Sequence, residues 1–279
     1  MLEEIAKNLS GLKAAFAKEY AGSAHIQEII PASPVHGFPD PAHLGMLHEF
    51  AEKNPLYSGS FEQDVAGVCC VVYEGDIGQY WLDSTKHGSS CQPFYPTWIT
   101  SAYALACMAK RLGYCELVDV GSGDGRIAYC GAVAGLVPYS IEIDGALAGL
   151  QKEISESTGI RINPRCCDAL EADYLQMNLE RPVFVIGGLA QMGGDILASG
   201  IIEKTQKMSG AGVVLAGTYS KRSLSGSTEY GGWGEIIKRY GLEVTNTVTL
   251  PTVWTFDQET DTPYIHARLA HGAYCTSKK

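Results

Sequence analysis

Leu117-Val-Asp-Val-Gly-Ser-Gly-Asp-Gly-Arg126 is the most informative stretch of the chain. A short apolar run leads into three glycines at alternate positions, 121, 123 and 125, and a helical pattern follows. Glycine lets the backbone turn tightly and lets a ligand approach without a Cβ in the way. The stretch therefore predicts a strand, a ligand-binding turn and a helix.

From residue 115 onward, short apolar runs alternate with helical stretches, which is the pattern of a buried parallel sheet. The last two runs are joined by about a dozen residues without a helical pattern, and so short a connection favours an antiparallel pair. The predicted strands are Glu116–Val120, Tyr139–Ile143, Arg161–Cys166, Pro182–Gly188, Gly212–Thr218, Leu242–Leu250 and Tyr264–Ala270.

The first hundred residues have a different texture. Apolar residues at helical spacing predict a helix over 5–16, and prolines 31, 34, 39 and 41 predict an irregular segment over 22–42. A short helix is predicted at 42–53, and a β-hairpin is predicted from Val65–Tyr73 and Gln79–Asp83. A further helix, about Thr97–Leu112, is rich in alanine and is expected to pack on the sheet.

Composition excludes several classes of protein. The chain has 279 residues, of which 46% are apolar and 19% are charged, as in globular proteins. Its 21 basic and 31 acidic residues give a net charge of −10, which disfavours binding to phosphate backbones and anionic membranes. Nucleic acid is therefore disfavoured as a partner, and no membrane partner is expected.

The nine cysteines include two adjacent pairs, Cys69–Cys70 and Cys166–Cys167, which are poorly placed for a disulfide framework. This pattern favours a reducing cytoplasm. His87 and Cys91 lack the paired partners of a structural zinc site, so no metal is predicted. Neither a signal peptide nor a run of 18 apolar residues is read in the sequence.

Two classes of cofactor compete for the glycine turn. A dinucleotide fingerprint would place a third glycine at Arg126, and a carboxylate at Asp124 would be unfavourable beside a pyrophosphate. Asp119, near the end of the strand, could instead meet an amine. The turn therefore fits a cofactor with an ammonium group and no phosphates, and S-adenosylmethionine has these properties.

The next two strands supply further carboxylates. Glu142 ends the second strand and can accept hydrogen bonds from both hydroxyls of a ribose, with Asp144 as the alternative or as a helix cap. Asp168, followed by apolar Ala169, ends the third strand and can accept from an adenine amino group. Ligands of open α/β sheets bind at the carboxyl ends of the strands.

Residues 93–270 resemble the class I, seven-strand S-adenosylmethionine-dependent methyltransferases. The resemblance implies a doubly wound sheet of order 3-2-1-4-5-7-6 with one antiparallel strand. The phrase Val118–Ile127, preceded by Pro93-Phe-Tyr-Pro-Thr97, is similar in particular to archaeal protein-lysine methyltransferases and their mitochondrial relatives, as is Val253–Phe256. This closer resemblance implies that Tyr95 and Thr97 cover the methionine end of the cofactor.

The fourth strand departs from some members of that family. It ends in Ile186-Gly-Gly-Leu-Ala190, without the Asn/Asp-Pro-Pro-Tyr that holds a planar amine of a base or a glutamine. A protein side chain, with lysine favoured, is therefore the expected acceptor. A small metabolite is the alternative acceptor, and a non-catalytic binding module is a third reading.

The predicted division places an N-terminal α+β extension at 1–92, as a cap or substrate-recognition region, before a methyltransferase domain at 93–279. Tyr95, Trp98 or Trp254 could desolvate a lysine amine, with simple packing as the alternative. Cys91 is read as an ordinary thiol, and Lys221 and Arg222 as solvent-exposed charges. No catalytic residue beyond the donor-binding ones is predicted.

Overall fold

The computed structural model describes residues 2–22, 24, 26–78, 80, 94–190, 193–217, 229–252 and 261–269. The helices are α1 (Leu2–Glu19), α2 (Pro41–Lys53), α3 (Ile99–Arg111), α4 (Arg126–Val133), α5 (Gly145–Thr158), α6 (Gly194–Thr205) and α7 (Gly234–Tyr240). The strands are β1 (Ile26–Pro31), β2 (Tyr57–Val65), β3 (Val68–Gly75), β4 (Glu116–Val120), β5 (Val137–Glu142), β6 (Pro164–Cys166), β7 (Pro182–Ile186), β8 (Gly212–Ala216), β9 (Glu243–Leu250) and β10 (Thr262–Arg268).

Seven of the strands form one sheet in the order β6-β5-β4-β7-β8-β10-β9. The pairs from β6 to β8 are parallel, whereas β10 is antiparallel to both β8 and β9. Counted from the first strand of this sheet, the order is 3-2-1-4-5-7-6. The predicted doubly wound α/β sheet with one antiparallel strand is therefore confirmed.

Helices cover both faces of this sheet, and the side chains of β4 show how. Leu117 packs in a core cluster with residues of α3, α4 and α5, whereas Val118 and Val120 point to the other face, where α6 and α7 pack. Because both faces are covered, all five residues of β4, β7 and β8 are buried. This explains why these strands were recognisable as continuous apolar runs.

The N-terminal part contains a second, three-stranded antiparallel sheet in the order β1-β3-β2. The sequence prediction was wrong at two places here. Strand β1 lies inside the segment that was predicted to be irregular, and its six residues are all buried, so that no alternation of polar and apolar residues marks it.

The predicted hairpin was also wrong. Its apolar run Val65–Tyr73 contains the turn itself, at Ala66 and Gly67, and the actual partner of β3 is the preceding strand β2. Strand β2 was missed because it is an edge strand with mostly exposed, polar residues. The second predicted strand lies largely outside the described residues, although Tyr80 is described and is helical.

The N-terminal elements pack against the large sheet's helices rather than standing apart. Leu9 and Leu44 belong to the same core cluster as Leu117, and the centroids of the Phe50 and Tyr129 rings are 4.9 Å apart. Lys13 Nζ also forms an ion pair with Asp261 Oδ1 at 2.8 Å. The division into 1–92 and 93–279 stays a prediction.

The described residues contain neither a membrane-spanning helix nor a cluster of metal-binding side chains. No helix among them is long and apolar enough to cross a membrane. In the same residues, no group of three or more His, Cys, Asp or Glu side chains is arranged to hold a metal ion.

Candidate functional site

The glycine turn connects β4 to α4 and takes a backbone conformation that requires glycine. Gly121, Gly123 and Gly125 have φ angles of 67°, 56° and 78°, in the left-handed region. A Cβ on Gly123 would collide with the Phe94 ring, whereas a Cβ on Gly121 would have no atom within 4 Å. The turn therefore has open space beside Gly121, as a ligand-binding turn needs.

A buried polar cluster supports the turn from behind. Gln151 Nε2 donates to Ser122 Oγ at 2.9 Å and to the Gly123 carbonyl oxygen at 2.7 Å, and Ser140 Oγ donates to Ser122 Oγ at 2.7 Å. The Gln151 side chain is fully buried. Sequence reasoning missed Gln151; the available signal was a polar residue on the apolar face of a predicted helix, between Leu147 and Ile154.

Asp119 lies on β4 with only 1% of its surface exposed. Its Oδ2 accepts a hydrogen bond from the backbone N–H of Ala128, in the first turn of α4, at 3.2 Å. Burial raises the pKa of Asp119 well above its usual range, and the carboxylates of Asp124 and Glu142 raise it further. A cation placed beside Asp119 would therefore be bound favourably.

Glu142, the last residue of β5, turns its side chain toward the glycine turn. Its Oε2 accepts from the Gly123 N–H at 2.7 Å, and its Oε1 accepts from the Asp144 N–H at 3.0 Å. Burial raises the pKa of Glu142, while these backbone hydrogen bonds oppose the change. Each carboxylate oxygen has a second lone pair, so the group can accept further hydrogen bonds.

Asp144 has the second of the two roles that the sequence left open. Its Oδ1 accepts from the N–H groups of Ala146 and Leu147, at 2.8 and 3.1 Å, and so caps helix α5. Glu142 is thus the carboxylate of this pair that lies against the turn.

Asp168 follows β6 and is half-buried, next to the buried Ala169. Its Oδ1 accepts from the Leu170 N–H at 2.8 Å, and the neighbouring Cys167 N–H donates to the Glu142 carbonyl oxygen at 2.9 Å. Since β4, β5 and β6 are adjacent and parallel, the structure brings Asp119, Glu142 and Asp168 to one edge of the sheet.

Tyr95 and Thr97 lie in the segment before α3. Thr97 is 6% exposed, and its hydroxyl donates to the Pro251 carbonyl oxygen at 3.1 Å, while Tyr95 is half-buried. Thr97 also forms an isolated antiparallel bridge with Thr252. These contacts fix the segment against the large sheet, and a contact of either residue with a cofactor stays a prediction.

The side chain of Asp124 is buried in the protein and is paired there with Arg126. It is fully buried, and its Oδ2 accepts from Arg126 Nη2 at 2.6 Å and from Asn54 Nδ2 at 2.9 Å. Because this carboxylate is buried in an ion pair with the guanidinium, its predicted repulsion of a pyrophosphate is weakened. The replacement of the third fingerprint glycine by Arg126 still disfavours a dinucleotide.

Several residues singled out in the sequence have other outcomes. Trp98 is 2% exposed and packs in a cluster with Phe16 and Ile29, so packing is its observed role. Cys91, Lys221, Arg222, Trp254 and the segment Val253–Phe256 lie outside the described residues.

Comparisons with known proteins give distant structural matches. No family model matches the chain, and no curated protein matches it. The chain is similar to the tRNA (uracil-54, C5)-methyltransferase of Pyrococcus abyssi in complex with S-adenosyl-L-homocysteine, with a TM-score of 0.45 and 11% identity. That match covers 63% of this chain and only 40% of the other.

Two further solved structures are similar at the same level. One is magnesium protoporphyrin IX methyltransferase from Synechocystis PCC 6803 with bound S-adenosylhomocysteine, with a TM-score of 0.45, 14% identity, and coverage of 61% of this chain and 80% of that one. The other is a putative RNA methyltransferase from Pyrococcus horikoshii, with a TM-score of 0.46, 14% identity, and coverage of 69% and 97%. The strand order, and not these distant likenesses, establishes the fold.

Proposed function

We propose that the chain is an S-adenosylmethionine-dependent methyltransferase. The observation that carries this proposal is the placement of Asp119, Glu142 and Asp168 at or just beyond the carboxyl ends of three adjacent parallel strands, with Glu142 bonded to the glycine turn. Such edges bind ligands in open α/β sheets. The combination supports a donor that carries an amine, a ribose and a purine, and that carries no phosphate.

The residues present fit this donor at three points. The buried carboxyl of Asp119, whose pKa is raised, would gain from an ammonium group, since a nearby cation favours the ionised form. Glu142 has lone pairs left for two ribose hydroxyls. Asp168 is half-buried beside Ala169, which suits an adenine that needs a polar acceptor at its edge and an apolar neighbour.

The methyl sulfonium of the bound donor supplies an already activated methyl group. The residues of this chain therefore have to bind, orient and exclude water, and positioning alone can lower a barrier by up to about 7–11 kcal/mol. Gln151 and Glu142 hold the glycine turn in place by hydrogen bonds to Gly123. A dedicated general base is not required by this arrangement.

Donor binding is tested by calorimetry with S-adenosylhomocysteine. We expect the intact protein to bind it, and we expect Glu142→Ala to weaken binding by at least about 1 kcal/mol, because one or more hydrogen bonds to the ribose are lost. Asp173→Ala is the matched control: Asp173 is an exposed carboxylate that also accepts from backbone N–H groups, at 3.1 and 3.2 Å, outside the proposed site.

The control variant should bind like the wild-type protein. Absence of binding by the intact protein would reject the proposed function. Equal binding by Glu142→Ala and wild type would remove Glu142 from the donor site.

The proposed acceptor is a protein side chain, with lysine favoured and a small metabolite as the alternative. The support for lysine is the motif over 118–127 with its preceding Pro93–Thr97, and the lack of Asn/Asp-Pro-Pro-Tyr in residues 187–190. A lysine amine must be neutral to attack, so a desolvating pocket would be needed to lower its pKa. Buried Trp98 does not supply that surface, which leaves half-buried Tyr95 among the described aromatics of that segment.

The acceptor is tested with methyl-labelled donor. The protein is incubated with this donor and a cell lysate, and the products are separated into protein, nucleic-acid and small-molecule fractions. We expect label in the protein fraction, stable to acid and base as N-methyl-lysine is. Label confined to small molecules would establish the metabolite alternative, and label confined to nucleic acid would contradict both.

We propose the division into an N-terminal extension, 1–92, and a methyltransferase domain, 93–279, together with a cytoplasmic location. Support for the location is the cysteine content: the described cysteines are free thiols, and Cys69, Cys115 and Cys166 among them are exposed. Free thiols persist in a reducing compartment.

A further inference from the structure

Glu28 is an ionisable residue that the proposed function does not use. It lies in the middle of β1, a strand whose residues are all buried, and none of its own surface is exposed. Burying a carboxylate is costly unless charged or hydrogen-bonding partners compensate. Its partners therefore indicate what the residue does.

The partners of Glu28 belong to three other elements. Its Oε1 lies 3.2 Å from Arg126 Nη1, at the start of α4, and its Oε2 accepts from the Ile99 N–H, at the start of α3, at 2.6 Å. The Tyr57 hydroxyl, on β2, donates to Oε1 as well. One carboxylate of the N-terminal sheet thus joins the beginnings of two helices that pack on the large sheet.

Arg126 in turn contacts two segments that are expected to bind the donor, the glycine turn and the Tyr95–Thr97 segment. Its Nε and Nη2 donate to Asp124 in the glycine turn, at 2.9 and 2.6 Å, and its Nη1 donates to the Thr97 carbonyl oxygen. The guanidinium is 2% exposed and lies over the Phe50 ring, 5.7 Å from its centroid. The arginine is therefore fixed on all sides.

We propose that Glu28 is a positioning residue of the donor site, which acts through Arg126 to hold the glycine turn and the Tyr95–Thr97 segment in their relative positions. This inference rests on the proposed function. It makes the N-terminal segment a component of the donor site, in addition to any part it has in binding the acceptor. Asn54, at the end of α2, adds a second N-terminal contact through Asp124.

The charge of Glu28 gives this role a pH dependence. Burial raises the pKa of Glu28 to about 7, with the Asp124 carboxylate adding to the rise, while Arg126 and the Ile99 N–H oppose it. Three other titratable groups interact with Glu28. The Tyr57 hydroxyl on β2 donates to it, and its charge contributes to the raised pKa values of Tyr73 on β3 and Cys130 on α4. As the pH falls through this range, Glu28 is neutralised and its attraction to Arg126 weakens.

The test compares Glu28→Gln with the wild-type protein, using calorimetry with S-adenosylhomocysteine at pH of about 8 and about 6. Glutamine keeps the shape and removes the charge. We expect Glu28→Gln to bind at least about five-fold more weakly than wild type at the higher pH, as for loss of a charged hydrogen bond. We expect the difference to narrow at the lower pH, where the wild-type carboxyl is itself protonated.

Two further variants complete the experiment, and thermal unfolding of each protein checks that it is folded. Tyr57→Phe removes one hydroxyl from the same cluster, and we expect about two- to three-fold weaker binding. Tyr114→Phe removes a buried hydroxyl in the segment between α3 and β4, which is hydrogen-bonded to His266 Nε2 of β10 at 2.8 Å, and we expect binding within about two-fold of wild type.

The outcomes separate the two proposals. If the wild-type protein does not bind, the proposed function fails, and this inference fails with it. If wild type binds and Glu28→Gln binds equally at both pH values, only the positioning role is overturned. An equal loss of affinity at both pH values would also overturn it, because it would show a role independent of the charge. Should Glu28→Gln not fold, Tyr57→Phe with unchanged affinity overturns it.

Discussion

The ends of β4, β5 and β6 and the N-terminal strand β1 both carry buried carboxylates, but these differ in what satisfies them. Asp119 and Glu142 accept hydrogen bonds from backbone N–H groups of the turn and of the following helices. Glu28 on β1 also accepts from a backbone N–H, that of Ile99, but in addition it shares the guanidinium of Arg126 with Asp124 of the glycine turn. The first pair is placed to gain from a bound cation or hydroxyl, whereas the second pair is already compensated within the protein.

This difference separates ligand-binding carboxylates from structural ones. A strongly raised pKa alone would not do so, because burial raises the pKa of Asp119, of Glu142 and of Glu28. The hydrogen-bonding and charged partners distinguish the two kinds of carboxylate. A buried carboxylate beside an open turn can still bind a ligand, whereas one paired with an arginine has a structural role. Removal of Arg126 is therefore expected to destabilise the fold, because it leaves the buried carboxylates of Glu28 and Asp124 without their cation.

The largest expected effect comes from Arg126→Met. This change leaves the Glu28 and Asp124 carboxylates buried without their cation, and breaking a buried ion pair from one side costs roughly 3–5 kcal/mol. We expect a loss of this order in the free energy of unfolding, measured by urea denaturation and followed by circular dichroism. An Arg126→Met protein within about 1 kcal/mol of wild type would contradict the contrast between the two regions.

Arg165→Met is the matched control for that experiment. Arg165 is an exposed residue of β6, so the same change of side chain removes no buried partner. Surface substitutions of this kind usually change the free energy of unfolding by no more than about 0.5 kcal/mol. A large loss in both variants would show that the chain tolerates no Arg→Met change, and would make the Arg126 result uninformative about the ion pairs.

The two regions also differ in how far the sequence predicts them. In the large sheet, each predicted strand from Glu116 onward exists. Strands β4, β7 and β8 are buried on both faces and so appear as apolar runs, and the parallel connections need helices between the strands. The places of Asp119, Glu142 and Asp168 follow from the same regularity, since the ends of parallel strands share an edge.

The N-terminal sheet follows no such regularity. Glu28 is 98 residues from Arg126 in the chain, and the residues around Glu28 in the sequence do not indicate that it pairs with Arg126. Asp124 was likewise placed in the turn correctly, but the direction of its side chain depends on Arg126 and on Asn54, 70 residues earlier. Local patterns therefore gave the position of Asp124 but not that of Glu28, and long-range pairing decides the role of both.

A substitution in the turn between β2 and β3 has the smallest expected effect on the free energy of unfolding. It tests the part of the N-terminal sheet that does not contact Arg126. Ala66 and Gly67 have φ angles of 51° and 82°, both in the left-handed region, and both residues are exposed. Two-residue hairpin turns of this kind favour Asn-Gly, because Asn tolerates a positive φ better than Ala does. We expect Ala66→Asn to raise the free energy of unfolding by about 0.5–1 kcal/mol.

Thermal and urea unfolding of Ala66→Asn, with Gly67→Ala as the opposite control, measure this effect. Gly67→Ala places a Cβ at the larger positive φ and should lower the free energy of unfolding by about 1 kcal/mol. If Ala66→Asn lowered stability instead, the hairpin would not turn at 66–67 and the register Val65 to Val68 would be wrong. Neither variant touches Glu28 or the glycine turn, so binding of S-adenosylhomocysteine should be unchanged in both.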